Sequence, residues 1–173
     1  VGRFAGVYIF LNAALRAVVP IAQYAMSNIA RMQDDQSARS RARGHYWRLA
    51  VSVTLAVMAG LFVLGAISDS VLPLIYTSEY TGLGGAVRVC AVVSGLAVTA
   101  SFLSYYLILK GAMAAHLAAC IVAICATAVM FLVYRPGSIE GIFSCAGAGF
   151  VGYAVFAAVR LVRPFSLSGV VSK

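Results

Sequence analysis

Charged residues are scarce in this sequence. Only 10% of the 173 residues are Asp, Glu, Lys or Arg, whereas soluble domains carry about 25% charged residues. Hydrophobic residues make up 62% of the chain. Because so few charges cannot cover the surface of a water-soluble fold, the composition excludes a soluble domain and predicts an integral membrane protein.

Catalytic and metal-binding motifs are absent from the sequence. It has no HExxH motif, no Gly-rich phosphate loop and no nucleophile at a suitable spacing from a base. The four cysteines lie in apolar segments and form no CxxC pair, namely Cys90, Cys120, Cys125 and Cys145. We therefore expect no catalytic residue, no metal site and no cofactor.

Acidic residues are few, with 5 Asp and Glu against 13 Lys and Arg, which gives a net charge of +8. In a soluble protein this excess would suggest nucleic acid. Here most basic residues flank apolar segments, where they orient the chain and contact anionic membrane lipids. The sequence therefore predicts membrane lipids, and no nucleic acid, as partners.

Five apolar stretches are long enough to cross a bilayer, which requires about 20 residues per helix. They are continuous rather than alternating, and a membrane-embedded backbone must satisfy its own hydrogen bonds, so we expect helices. The fold class is thus all-α, a polytopic bundle of about five transmembrane helices forming a single transmembrane domain over residues 1–173. The expected spans are residues 4–29, 49–76, 86–109, 112–133 and 142–162.

The positions of Lys and Arg predict the orientation. One side of the membrane holds nine of them, Arg31, Arg39, Arg41, Arg43, Arg48, Lys110, Arg160, Arg163 and Lys173. The other side has Arg3, Arg88 and Arg135, with the acids Asp69, Glu79 and Glu140. By the positive-inside rule the first side is cytoplasmic, so the amino end lies outside and the carboxy end inside.

The polar segment Arg31–Arg48 contains Asp34 and Asp35 and ends in the cluster His45, Tyr46 and Trp47. We expect a cytoplasmic loop at the level of the lipid headgroups. A contact with substrate is the alternative. Lys110 and His116, near the same boundary, are expected to anchor the topology. In the fifth span, Ser144, Ala148 and Gly152 predict a face for close helix packing.

The first span carries a polar stripe. Tyr8, Asn12, Arg16, Gln23 and Ser27 recur at helical spacing and fall along one face, with Arg16 near mid-span. A charge at that depth usually faces the interior of a bundle or a hydrated cavity. Alternatively, the Arg16 side chain extends to an interface, or pairs with an acidic residue outside this chain. Pro20, in the same stripe, predicts a kink.

Several landmarks together resemble a known family. They are VGRFAGVYIF at the start, a first span with proline, a basic loop, LPLIYTSEY after the second span, AVRV opening the third and LILKG closing it. Over about residues 1–135 this resembles the carboxy-terminal lobe of the polysaccharide flippases, the O-antigen and exopolysaccharide transporters of the multidrug/oligosaccharidyl-lipid/polysaccharide (MOP) superfamily. One departure is Thr77-Ser78, where the family commonly has a Gly.

The resemblance implies an architecture of two six-helix lobes around a cationic cavity. On that basis the chain is a fragment containing five helices of the second lobe, and the missing amino-terminal lobe is a partner. The implied activity is transport of an undecaprenyl-pyrophosphate-linked oligosaccharide to the outer leaflet of the cell (inner) membrane.

The resemblance also suggests substrate-binding residues. The first span of this chain corresponds to the family's eighth helix, and Arg16 matches the cationic residue of that helix. Tyr8, Asn12 and Gln23 share the face of Arg16. Arg88 is either a further substrate contact or an interfacial charge.

Three alternatives stay open. A multidrug and toxin extrusion protein of the same superfamily would need acidic residues in its cavity, and the one acid within an expected span, Asp69, marks the outer end of the second span. A membrane-embedded glycosyltransferase or O-antigen ligase would need a large outer loop with catalytic residues. A non-transporting scaffold would not need Arg16.

Overall fold

A computed structural model describes residues 2–31, 36–75 and 81–162, and these residues form helices and no strands. The helices are α1 (Gly2–Arg31), α2 (Gln36–Ile75), α3 (Gly84–Leu109), α4 (Met113–Tyr134) and α5 (Ile139–Val162). Each contains a segment long and apolar enough to cross a membrane. The predicted all-α bundle of five such helices is confirmed, and the chain is a multi-pass membrane protein.

The boundaries of four helices agree with the expected spans to within three residues. The second does not, because α2 begins at Gln36 and has 40 residues. The prediction of a loop throughout Arg31–Arg48 was therefore wrong for residues 36–48. Ala and Arg, which recur in this segment, are strong helix formers, and polarity argues against burial in lipid rather than against a helix.

Some residues used in the sequence analysis lie outside the described part of the chain. They are Asp34, Asp35, Thr77, Ser78, Glu79, Arg163 and Lys173.

Helix α3 is the centre of the bundle. Its apolar segment is 67% buried, compared with 6% for that of α4. All three hydrophobic clusters among the described residues contain α3 side chains. Helices α1, α2 and α5 pack around α3, whereas α4 lies at the edge of the bundle and packs mainly on α5. The exposed apolar surface of α4 suits contact with lipid or with another membrane segment.

At one end of the bundle, aromatic rings fasten α2 to α3. The Tyr46 hydroxyl donates a hydrogen bond of 2.6 Å to the carbonyl oxygen of Phe102, and the two rings meet edge to face. Trp47 and Tyr106 extend the cluster, and the Lys110 ammonium lies 5.7 Å from the centre of the Tyr106 ring. We call this end the basic end, since six described basic residues lie here: Arg31, Arg41, Arg43, Arg48, Lys110 and Arg160.

At the opposite end, small residues bring α2 and α3 into backbone contact. A Cβ atom added to Gly84 would lie 2.9 Å from the carbonyl oxygen of Gly65. Asp69 accepts a hydrogen bond of 2.9 Å from the backbone N–H of Gly82, just before α3. The Glu140 carboxylate lies near Gly85. Both carboxylates therefore lie beside the N-terminus of α3, where the helix dipole stabilises negative charge.

The close contact between α4 and α5 occurs at Gly149. A Cβ atom there would collide with the hydroxyl of Thr127 and would lie 2.9 Å from the carbonyl oxygen of Ala123. Gly152 packs against α4 as predicted, but Ser144 is exposed and donates to the Glu140 carbonyl. The face of α5 that packs on α4 is therefore rotated from the expected one, so that it includes Gly149 and not Ser144.

We expect Gly149→Ala to lower the free energy of unfolding by about 1–3 kcal/mol, because the added methyl group overpacks the α4–α5 contact. Gly60→Ala is the matched control, since a Cβ at Gly60 meets no atom within 4 Å. It should raise the free energy of unfolding by up to about 1 kcal/mol, because alanine favours the helix. Denaturation in detergent measures both, and equal effects would contradict the proposed contact.

Candidate functional site

Arg16 lies at the middle of α1. The helix runs from Gly2 to Arg31, so at 1.5 Å per residue Arg16 is about 20 Å from each end. The residue is exposed. No hydrogen bond or ion pair joins its guanidinium to any of the residues that the structure describes. The helix assignment continues through Pro20.

The polar stripe occupies an open side of α1. The buried residues of this helix form its other side, against α2 and α3: Val7, Leu11, Val18, Ala22, Ala25 and Ile29. At 100° per residue the stripe lies roughly 130° around the helix from them. Arg16 and Gln23 are exposed, Tyr8 is 47% exposed, and Asn12 and Ser27 are half-buried. The stripe is therefore available to a ligand or to another membrane segment.

One stripe residue connects α1 to a cavity. The Gln23 amide lies 3.4 Å from the Tyr105 hydroxyl, to which it donates. Tyr105 lines a cavity of about 450 Å³ that opens between α1 and α4. Helices α3 and α5 supply most of its inner wall. The lining residues are Val19, Ala97, Ala100, Ser101, Ser104, Tyr105, Cys120, Ala123, Ile124, Phe150 and Tyr153.

A hydrogen-bonded cluster forms one wall of this cavity. The Nδ1 atom of His116 lies 2.8 Å from the Tyr153 hydroxyl and 3.3 Å from the Ser104 hydroxyl. The Cys120 sulfur lies 3.9 Å from Nε2 of the same ring. The cluster thus joins α3, α4 and α5, and its Ser104 and Tyr153 hydroxyl groups belong to residues that line the same cavity as Tyr105.

From the sequence, His116 was expected only to anchor the topology, and Ser104, Tyr105 and Tyr153 were not candidate site residues. One sequence pattern could have indicated the polar wall of this cavity: Ser101, Ser104 and Tyr105 have the spacing that places residues on one helical face.

A second cavity, of about 410 Å³, extends the first along α4 and α5. The two share Ala123, Ile124 and Phe150. Together they form a groove that is polar near His116 and apolar further along, apart from the hydroxyl of Thr127. Such a groove suits an amphiphile, with its polar part near α1 and its apolar part along α4.

Arg88 lies elsewhere. It is in the second turn of α3, and its Cγ would be 2.9 Å from a Cβ atom added to Gly65 of α2. The cavity lining includes no α2 residue and no Arg88. Of the predicted site residues, Gln23 is therefore linked to the groove through Tyr105. Tyr8, Asn12 and Arg16 lie on the adjoining face of α1, and Arg88 lies apart from both the groove and that face.

No described acidic side chain lines the groove. The acidic side chains within the described ranges, Asp69 and Glu140, lie at the opposite end beside the start of α3. No group of three His, Cys, Asp or Glu residues suited to a metal ion occurs in the described part of the chain. None of the described carboxylates lies at the membrane depth of Arg16, so none would repel an anionic ligand there.

Comparison with known proteins gives no match: no family model, no curated protein and no solved structure is similar to this chain. The family resemblance therefore depends on the sequence landmarks alone.

The four cysteines test whether the groove is hydrated. Cys120 lines it, Cys125 is exposed on the other side of α4, and Cys90 and Cys145 are buried. A thiol reacts as the thiolate, which needs water. In single-cysteine variants we expect a charged methanethiosulfonate reagent to modify Cys120 at least tenfold faster than the other three. Faster modification of Cys125 would show that the groove is dry.

Proposed function

We propose that these five helices belong to a transporter that moves a lipid-linked, pyrophosphate-bearing oligosaccharide across the cytoplasmic membrane. The observation that carries the proposal is Arg16, an arginine at mid-helix on an open face, with no partner among the described residues. A charge at that depth costs several kcal/mol unless it faces other polar groups or water. A guanidinium binds phosphate oxygens through two parallel hydrogen bonds, so an anionic substrate would offset that cost.

The groove supports the same substrate class. A lipid-linked oligosaccharide has an anionic pyrophosphate, a hydroxyl-rich sugar and a long apolar tail. Arg16 suits the pyrophosphate, while Gln23 and the Ser104–His116–Tyr153 cluster offer donors and acceptors for sugar hydroxyls. The apolar part of the groove, along Ala123 and Phe150, suits an isoprenoid chain.

In this proposal the basic end of the bundle is cytoplasmic, according to the positive-inside rule. The amino end then lies outside and the carboxy end inside. A second lobe faces the stripe of α1 and completes the cavity, and substrate passes Arg16 as the two lobes alternate in access. A cationic-drug exporter is less well supported, because neither of the described acids lines the groove.

We expect Arg16→Ala in the full-length protein to abolish export of surface polysaccharide while membrane insertion stays normal. Arg16→Lys should retain part of the activity, because it keeps the charge but loses the planar pair of donors. Export is measured from the polysaccharide on the cell surface, and insertion from the amount of protein in the membrane fraction. Normal export by the alanine variant would refute the role of Arg16 in binding substrate.

The matched control is the double variant Arg16→Ala/Ala17→Arg. It keeps one arginine at nearly the same depth but turns it about 100° around the helix, onto the exposed position of Ala17. If substrate needs the charge on the stripe, this variant should be as inactive as Arg16→Ala. Restored export would mean that a charge on any face suffices.

Cysteine labelling tests which face of α1 meets water. We expect Asn12→Cys and Gln23→Cys to react with a charged thiol reagent, because both positions lie on the stripe. Ala13→Cys and Tyr24→Cys are the controls, since these neighbouring exposed positions have nearly the same depth. All four are made in a chain without its native cysteines. Labelling of the controls alone would place the stripe against lipid or protein.

A further inference from the structure

The basic end of the bundle contains a third cavity, which the proposed transport does not use. It has a volume of about 460 Å³ and lies between the last turns of α1 and the first turns of α2. Ala38, Arg41, Ala42 and His45 contribute from α2 at helical spacing. The cavity exists because residues 36–48 are helical, which places Arg41 and His45 one turn apart beside Asn28 of α1.

Apart from Tyr46, the polar side chains that line this cavity have no hydrogen-bond partner among the described residues. Asn28, Arg41 and His45 make no hydrogen bond or ion pair with any residue in the described ranges. The Tyr46 hydroxyl already donates to the Phe102 carbonyl, so it is not a free donor for a ligand of this cavity. Three polar side chains without a described partner thus line one cavity, and Arg41 adds a positive charge.

The remaining lining is apolar. Ala25, Ala38 and Ala42 supply methyl groups, and the buried Tyr46 adjoins them. Tyr46 and Trp47 form an aromatic pair at this level, and such pairs are typical of the boundary between headgroups and acyl chains. A ligand of the cavity therefore meets donors and positive charge on one side and hydrocarbon on the other, at the depth of lipid headgroups.

The charge of the surroundings favours an anion. Every described basic residue of the basic end adds to the positive field, and the described acids lie at the opposite end beside α3. The sequence places Asp34 and Asp35 between α1 and α2, but the segment Arg31–Arg48 still has five arginines against these two acids. Basic clusters at a membrane surface attract anionic lipids.

We propose that this cavity binds one anionic phospholipid of the surrounding bilayer. The Arg41 guanidinium pairs with the phosphate, Asn28 and His45 hydrogen-bond to the headgroup, and the first acyl carbons lie on Ala42 and Tyr46. The lipid links the end of α1 to the start of α2. This site is distinct from the Arg16 stripe and does not depend on the transport activity.

Native mass spectrometry of the full-length protein, released from nanodiscs of phosphatidylcholine containing phosphatidylglycerol, tests the proposal. One phosphatidylglycerol should stay bound where phosphatidylcholine does not. Arg41→Ala should weaken its binding about tenfold. Arg43→Ala is the matched control, because it removes the same charge from an exposed position outside the cavity, and it should bind almost as the native protein does.

A second variant separates shape from charge. Ala42→Leu keeps every arginine and fills the cavity floor, so it should also release the lipid. Circular dichroism and size-exclusion chromatography show whether each variant is folded. Equal loss in Arg41→Ala and Arg43→Ala would overturn the site in favour of a diffuse surface charge. Undiminished lipid binding by folded Ala42→Leu, or binding of inorganic phosphate with no retained lipid, would also overturn it.

Discussion

The main physical constraint on this structure is the free-energy cost of leaving a polar group without a hydrogen-bond partner in hydrocarbon. It requires a helical backbone in every membrane-spanning segment, and it explains why the described hydroxyl groups within the helices so often bond to a carbonyl one turn earlier, as Ser101 and Thr99 do. Other groups find partners across helices, such as Tyr46 on Phe102 and His116 on Tyr153. Against this background the isolated guanidinium of Arg16 stands out, because it has the largest cost and no described partner to offset it.

Packing around α3 uses two different means at its two ends. At the basic end, large aromatic rings fill the space between α2 and α3. At the opposite end, Gly65 and Gly84 bring the backbones together, and two carboxylates lie beside the start of the helix. This arrangement keeps the described acids away from the groove. The absence of a described carboxylate from the groove lining is therefore a consequence of this packing.

Much of the architecture could be predicted from the sequence, because hydropathy alone detects segments that must avoid water. Hydropathy gave a wrong prediction for residues 36–48, which are helical and were expected to form a loop. Polarity indicates where a segment leaves the lipid and not where its helix ends. Arg16 was predictable as a charge within an apolar run. The pairing of His116 with Tyr153 was not, because these residues are 37 positions apart and meet only when α4 packs on α5. The separation of Arg88 from the stripe likewise depends on which side of α3 meets α2.

The length of α2 has a mechanical consequence. Its 40 residues correspond to about 60 Å of helix, roughly twice the thickness of the hydrocarbon layer. Because α2 is joined to α3 both at Tyr46 and at Gly65, the two helices tilt together as one rigid lever, and a small tilt swings the turns before Tyr46 through several ångströms. Arg41 and His45 sit on that lever, so rearrangements deep in the bilayer would be transmitted to the headgroup layer as displacement.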